Sequence, residues 1–133
     1  KSVYPYVFNM DLAGKLKRVE TSSGIYIGKT VVIATGANPR ELGLDKEKEL
    51  IGHGVAYCAA CDGMFYKDKI VVVVGGGNSA VSDATLLSRI AKKVIIVNRR
   101  DTLRATKIYN DQLMKTENIE FRWNSTVKEL LYG

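Results

Sequence analysis

Residues 70–80 run Ile-Val-Val-Val-Val-Gly-Gly-Gly-Asn-Ser-Ala, five β-branched apolar residues leading straight into glycine. An unbroken apolar run of this kind predicts a strand buried on both faces, as in a parallel sheet. Gly75, Gly77 and Ala80 fit the spacing G-x-G-x-x-G/A. In that pattern the first glycine permits a tight turn and the second lets backbone approach a pyrophosphate. The small third residue brings the next helix close to the strand. Residues 79–90 follow as that helix, with Val81, Ala84, Thr85, Leu87 and Ser88 on its inner face. Its free amides and positive end suit phosphate. Glycine turns are common, so the spacing alone is weak. Here strand, glycine turn, helix and a second strand over residues 93–97 succeed one another. That order predicts a right-handed βαβ unit and favours a nucleotide site over a purely structural turn.

Twenty basic residues face fourteen acidic ones, a net charge of +6, and the hydrophobic share of 46% describes a globular chain of 133 residues with room for a core. No apolar run reaches the roughly 20 residues that span a bilayer, and no signal peptide is visible. The expectation is a cytoplasmic protein with no membrane association. The basic residues are scattered without aromatic platforms between them, which argues against nucleic acid and for a solvated surface or an anionic ligand. The first residue is Lys1 and the last ones break off in mid-pattern, so the expectation is a piece of a longer protein.

Before the glycine run, residues 3–10, 15–20 and 25–27 alternate as strands separated by turns and predict a three-stranded meander. Residues 30–35 predict a further, buried strand, and Asn38-Pro39 marks a boundary. The expected division is residues 1–38 and residues 39–133. His53, the sole histidine, lies between glycines in a polar stretch and is expected to be merely exposed. After the βαβ unit, Asp101 is expected to cap a helix over residues 102–115. A strand follows over residues 119–123, with Trp123 in the core, and one more element opens at residues 125–131. The fold class is α/β: a Rossmann-like βαβαβ parallel sheet with helices, plus the meander.

A dinucleotide fold of this type usually places an acid about 20 residues past the glycines, where it binds the adenosine ribose. Here the stretch is Asn98-Arg99-Arg100-Asp101-Thr102-Leu103-Arg104. A carboxylate would repel a 2′-phosphate, whereas guanidinium groups bond it in pairs. The expected ligand is NADP(H) rather than NAD(H); the competing reading is surface charge. Cys58-Ala59-Ala60-Cys61-Asp62 is a C-x-x-C followed by an acid. Two cysteines and one histidine cannot complete a four-ligand zinc site. A structural disulfide suits poorly a chain without a secretion signal. A redox pair or inert cysteines remain, and a nicotinamide site nearby favours the redox pair. Asp62 could exchange a proton with it, and a flavin is the expected relay for hydride.

Taken together, Ala34-Thr35-Gly36-Ala37, the C-A-A-C-D-G of residues 58–63, the G-G-G-N-S-A of residues 75–80, and Asn98-Arg99-Arg100-Asp101 with Arg104 resemble the bacterial, low-molecular-weight thioredoxin reductases in order and spacing. The resemblance implies electron flow from NADPH through FAD to the Cys58/Cys61 disulfide and on to thioredoxin, in a homodimeric parent. It implies that Cys61 faces the flavin, Cys58 attacks the partner's disulfide and Asp62 is the acid/base. Gly75, Gly76, Gly77, Asn78 and Ser79 would hold the pyrophosphate, and Ala80 would complete the cofactor-binding turn. Asn98 would stand at the adenosine, and Arg99, Arg100 and Arg104 at the 2′-phosphate. Asn98 departs from the family, which usually has histidine there. Thr35 and Gly36 resemble the strand that closes the flavin domain. The family's first glycine motif and its C-terminal flavin motif are not in these 133 residues, so the chain by itself is expected to hold FAD poorly and not to turn over. A flavoprotein reductase of a peroxiredoxin system and a nucleotide module without turnover are the alternatives.

Overall fold

The structure, a computed structural model, describes residues 2–132. The chain forms two compact units, Lys1–Asn38 and Pro39–Gly133.

The first unit is the predicted meander. Strands β1 (Val7–Asp11), β2 (Lys17–Thr21) and β3 (Gly24–Gly28) pair antiparallel in chain order. Ser22 and Ser23 make the two-residue turn between Thr21 and Gly24, which face each other across the hairpin. Gly24 has φ 122°, a value that favours glycine. The Thr21 hydroxyl seals the turn by donating to the Gly24 carbonyl at 2.8 Å and accepting from the Ser23 N–H at 3.2 Å. The buried strand expected over residues 30–35 does not form: that stretch is irregular, with Val32 87% and Ile33 59% exposed. Apolar, β-branched composition favours extended backbone, but a strand also needs a neighbour for its N–H and C=O groups. None pairs with it among the described residues.

The second unit carries β4 (Ile70–Val74), α2 (Asn78–Leu87), β5 (Lys93–Val97), α3 (Lys107–Leu113) and β6 (Ile119–Arg122), after a short helix α1 (Ala59–Asp62) and a 3-10 turn at Gly63–Tyr66. The strands are parallel in the order β4-β5-β6, with Val72 opposite Ile95 and Ile95 opposite Glu120. This is the expected βαβαβ unit. Its core lies on one face of the sheet, where Val81, Ala84 and Leu87 of α2 and Leu113 of α3 bury Val94 and Ile96.

The opposite face corrects the expectation for β4. Ile70, Val72 and Val74 are exposed, and only Val71 and Val73 pack on the core. Both crossovers put their helices on the same side of a three-stranded sheet, so among the described residues of this unit the other side has no layer of its own. On that side Glu120 of β6 pairs with Lys93 of β5 and with Arg122 two residues along its own strand. Those cations hold its carboxyl below the usual range, the Lys93 hydrogen bond first.

Helix α3 is also shorter than expected. Its N-cap is Thr106, not Asp101. Residues 101–106 stay irregular because the N–H groups of Arg104 and Ala105 both donate to the Gly76 carbonyl, at 2.7 and 3.2 Å. Of its apolar residues Leu113 is buried, whereas Ile108 is exposed. The expected element at residues 125–131 has no regular structure. Trp123, expected in the core, is half-buried and stacks on Phe121 with ring centroids 4.8 Å apart.

Candidate functional site

The glycine turn joins β4 to α2 as the spacing demands. Gly75 has φ 131°, and its N–H donates to the Val97 carbonyl at 2.9 Å, which extends the β4–β5 pairing by one residue. A Cβ on Gly75 would come within 3.3 Å of the Ala80 Cβ, so the turn and the first turn of α2 are in close contact. Gly77 is the N-cap of α2 and offers no side chain to cap it. The first free helical bond runs from the Val81 N–H to the Gly77 carbonyl. The amides of residues 77–80 therefore point out of the helix without helical partners, where an anion is favoured by the dipole.

A second segment is stitched to this turn. Besides the two bonds onto the Gly76 carbonyl, the Thr106 N–H donates to Asn78 Oδ1 at 3.1 Å. Asn98, at the end of β5, is only 6% exposed. Its Nδ2 donates to the Thr102 carbonyl at 2.8 Å, and its side chain abuts Gly76. Arg99, Arg100 and Arg104 are exposed beside it, and among the described residues none of them is paired with a carboxylate. The structure thus brings residues 75–80, Asn98 and Arg104 to one end of the parallel sheet.

Cys58 and Cys61 form a disulfide with Cα atoms 5.3 Å apart. Cys58 is the N-cap of α1, and its Sγ accepts the Cys61 N–H at 3.2 Å. The Asp62 N–H donates to the Cys58 carbonyl at 3.0 Å, placing that half-buried acid one turn on. Gly63, directly after it, packs on Leu87 and Ile90; a Cβ there would meet Leu87 Cδ2 at 3.3 Å and Ile90 Cδ1 at 3.2 Å. Leu87 ends α2, whereas the glycine turn begins it. A ten-residue helix is about 15 Å long, so the disulfide segment and the glycine turn sit against opposite ends of α2. Thr35 and Gly36 belong to the first unit, in its irregular segment. His53 is exposed.

One group went unnoticed in the sequence. Glu47 is 4% exposed, and its carboxylate accepts from the N–H groups of Leu42, Gly43 and Leu44 and from the Tyr57 hydroxyl at 2.6 Å. The Tyr57 bond first, then the backbone donors, hold this carboxyl down to about 2 against the opposing effect of burial. The same bond pushes the Tyr57 phenol up to about 12. Only a glycine with an acid four residues on could have hinted at it, a pattern too common to stand out.

Comparison with known proteins places this geometry. Residues 6–131 match the family model described as pyridine nucleotide-disulphide oxidoreductase, and the chain belongs to that family. It is 50% identical over 117 residues to a thioredoxin reductase of Listeria monocytogenes, covering 88% of this chain and 37% of the relative. The crystal structure of Lactococcus lactis thioredoxin reductase superposes with a TM-score of 0.75 at 40% identity, over 98% of this chain and 43% of that one. The thioredoxin reductase from Giardia duodenalis gives a TM-score of 0.80 at 34% identity, over 98% and 43%. The chain thus spans about two fifths of the length of the relatives it matches. Among the described residues no helix is long and apolar enough to cross a membrane.

Proposed function

We propose that this chain is the NADP(H)-binding and redox-disulfide portion of a thioredoxin-disulfide reductase. The observation that carries the reading is the presence, within one compact unit, of a glycine turn without a side-chain cap, arginines that pair with no carboxylate among the described residues, and a C-x-x-C disulfide. The division at Asn38 would then separate a tail of the flavin domain from the NADP domain. A cytoplasmic setting and a homodimeric parent belong to the same reading.

The residues present fit NADP(H). The amides of residues 77–80 would hold the pyrophosphate, with Gly75, Gly76 and Gly77 admitting close approach. Arg99, Arg100 and Arg104 would clasp the 2′-phosphate, with Asn98 holding their segment against the turn. When bound, the cofactor supplies an electron pair as hydride. The residues present do not fit FAD in the same way. Among the described residues the β4–α2 turn is the one strand–glycine–helix cradle, and Thr35 and Gly36 lie in an exposed irregular stretch. FAD stays in the reading as the relay of the longer relatives' class, with no step assigned to these residues.

Two electrons and two protons convert the Cys58–Cys61 disulfide to two thiols. Cys58 then attacks the thioredoxin disulfide as thiolate, forming a mixed disulfide and releasing a thioredoxin thiol. Cys61 attacks Cys58 Sγ, which re-forms the internal disulfide and frees the second thioredoxin thiol. In the disulfide form Cys58 Sγ accepts the Cys61 N–H, so a backbone donor already stands beside the sulfur given the attacking role. Asp62 would take the proton released at Cys61 and pass it to the leaving thiolate. The relatives favour thioredoxin over a peroxiredoxin as acceptor. Titrating the chain with NADPH and with NADH tests the cofactor arm: NADPH should bind at least tenfold tighter, and equal affinities would refute it. Reduced protein freed of dithiothreitol should re-form the disulfide in air; thiols that persist would leave a nucleotide module with idle cysteines.

A further inference from the structure

The buried Glu47 carboxylate has no part in the scheme above. Isolating an ionised carboxylate from water costs several kcal/mol unless its oxygens are fully bonded, so such groups are rare without a paired cation. Among the described residues Glu47 has no salt bridge. It takes three backbone N–H groups from residues 42–44 and the hydroxyl of Tyr57 instead. Tyr57 is half-buried and directly precedes Cys58. The chain between them folds back on itself: the Val55 N–H donates to Leu50 and the Gly52 N–H to Val55. The disulfide segment is therefore fixed at both ends, by the Tyr57 phenol before Cys58 and by Gly63 against Leu87 and Ile90 after Cys61.

We propose that Glu47 is a positioning residue for the redox pair, acting through Tyr57 to hold the Cys58 backbone and so to set the reduction potential of the Cys58–Cys61 disulfide. The inference rests on the redox role given to that pair above. Reduction frees both sulfurs, and the freedom gained depends on how firmly the flanking backbone stays in place. A clamped Cys58 keeps the two thiols close and favours the closed form. Releasing Tyr57 favours the open one.

The test equilibrates wild type, Tyr57→Phe and Glu47→Ala with graded ratios of dithiothreitol to its cyclic disulfide at pH 7, followed by alkylation and thiol counting. Dithiothreitol gives up two electrons and two protons to the sulfurs and closes its own ring. Both variants should be half-reduced at a dithiothreitol ratio at least threefold lower than wild type. Tyr57→Phe removes one hydroxyl, so it decides the matter if Glu47→Ala does not fold. An unchanged midpoint in a variant with native far-UV circular dichroism overturns the proposal. So does a loss of thermal stability with the midpoint unmoved, which makes Glu47 a structural buttress alone. Failure of the underlying redox reading looks different: wild-type thiols then stay free across the whole series, and the proposal falls with it.

Discussion

The Asn98 side chain lies so close to Gly76 that a Cβ on that glycine would stand 2.9 Å from both Cγ and Nδ2 of the carboxamide. Asn98 cannot swing aside freely, because its Nδ2 is held by the Thr102 carbonyl and its backbone by Arg122 and Ser125. Gly76→Ala should therefore displace the glycine turn. Overpacking of this kind costs about 1–3 kcal/mol. Urea denaturation should show that loss, and NADPH titration a weaker complex. Adding Asn98→Ala should restore part of the stability; no restoration would mean that the clash lies elsewhere.

Removing Arg99 and Arg100 together tests the phosphate assignment. Hydrogen bonds to charged groups contribute 1.5–3 kcal/mol each and less when exposed, so the double alanine variant should lose about 2–4 kcal/mol for NADPH. NADH, which has no 2′-phosphate, should lose far less. Equal losses by calorimetric titration would end the assignment.

Acid should act on Glu47. Its proton leaves near 4.5 in the unfolded chain and at about 2 in the fold. The stabilisation it gives is complete above pH 4.5 and is lost as pH falls from there toward 2. Urea midpoints for Glu47→Gln should fall less over that interval than those of wild type. Glu120 acts in the same direction in both proteins, so the difference between them isolates Glu47. Parallel curves would contradict the buried, fully bonded carboxylate.

The two faces of the parallel sheet should respond unequally. Ile96 is 1% exposed, and Ile96→Ala should cost about 2–5 kcal/mol. Val72, 53% exposed on the open face, should cost about 1 kcal/mol or less on change to alanine. Similar costs by denaturant titration would show a layer covering the open face in solution.

Much of this fold is legible where local pattern and partners agree. β5 spans the expected residues 93–97, flanked by a strand on each side, and the Thr21-Ser22-Ser23-Gly24 turn announces its hairpin. Two of the errors share one cause. Residues 30–35 have the composition of a strand and residues 101–106 the capping signal of a helix, but backbone hydrogen bonds decide both. The first stretch finds no ladder, and in the second Arg104 and Ala105 give their N–H groups to Gly76. β4 is as apolar as a doubly covered strand, yet composition does not say how many layers a sheet has. Glu47 stayed hidden because a buried charge in a polar stretch leaves no mark in hydropathy. The glycine turn and the cysteine pair stood out because their chemistry depends on fixed spacing.

The Gly76 carbonyl, by accepting from both Arg104 and Ala105, joins the turn and the arginine segment into one body before any ligand arrives. An anion bridging them has little chain left to order, so its association should carry a small entropic cost and proceed without a slow, saturable folding phase.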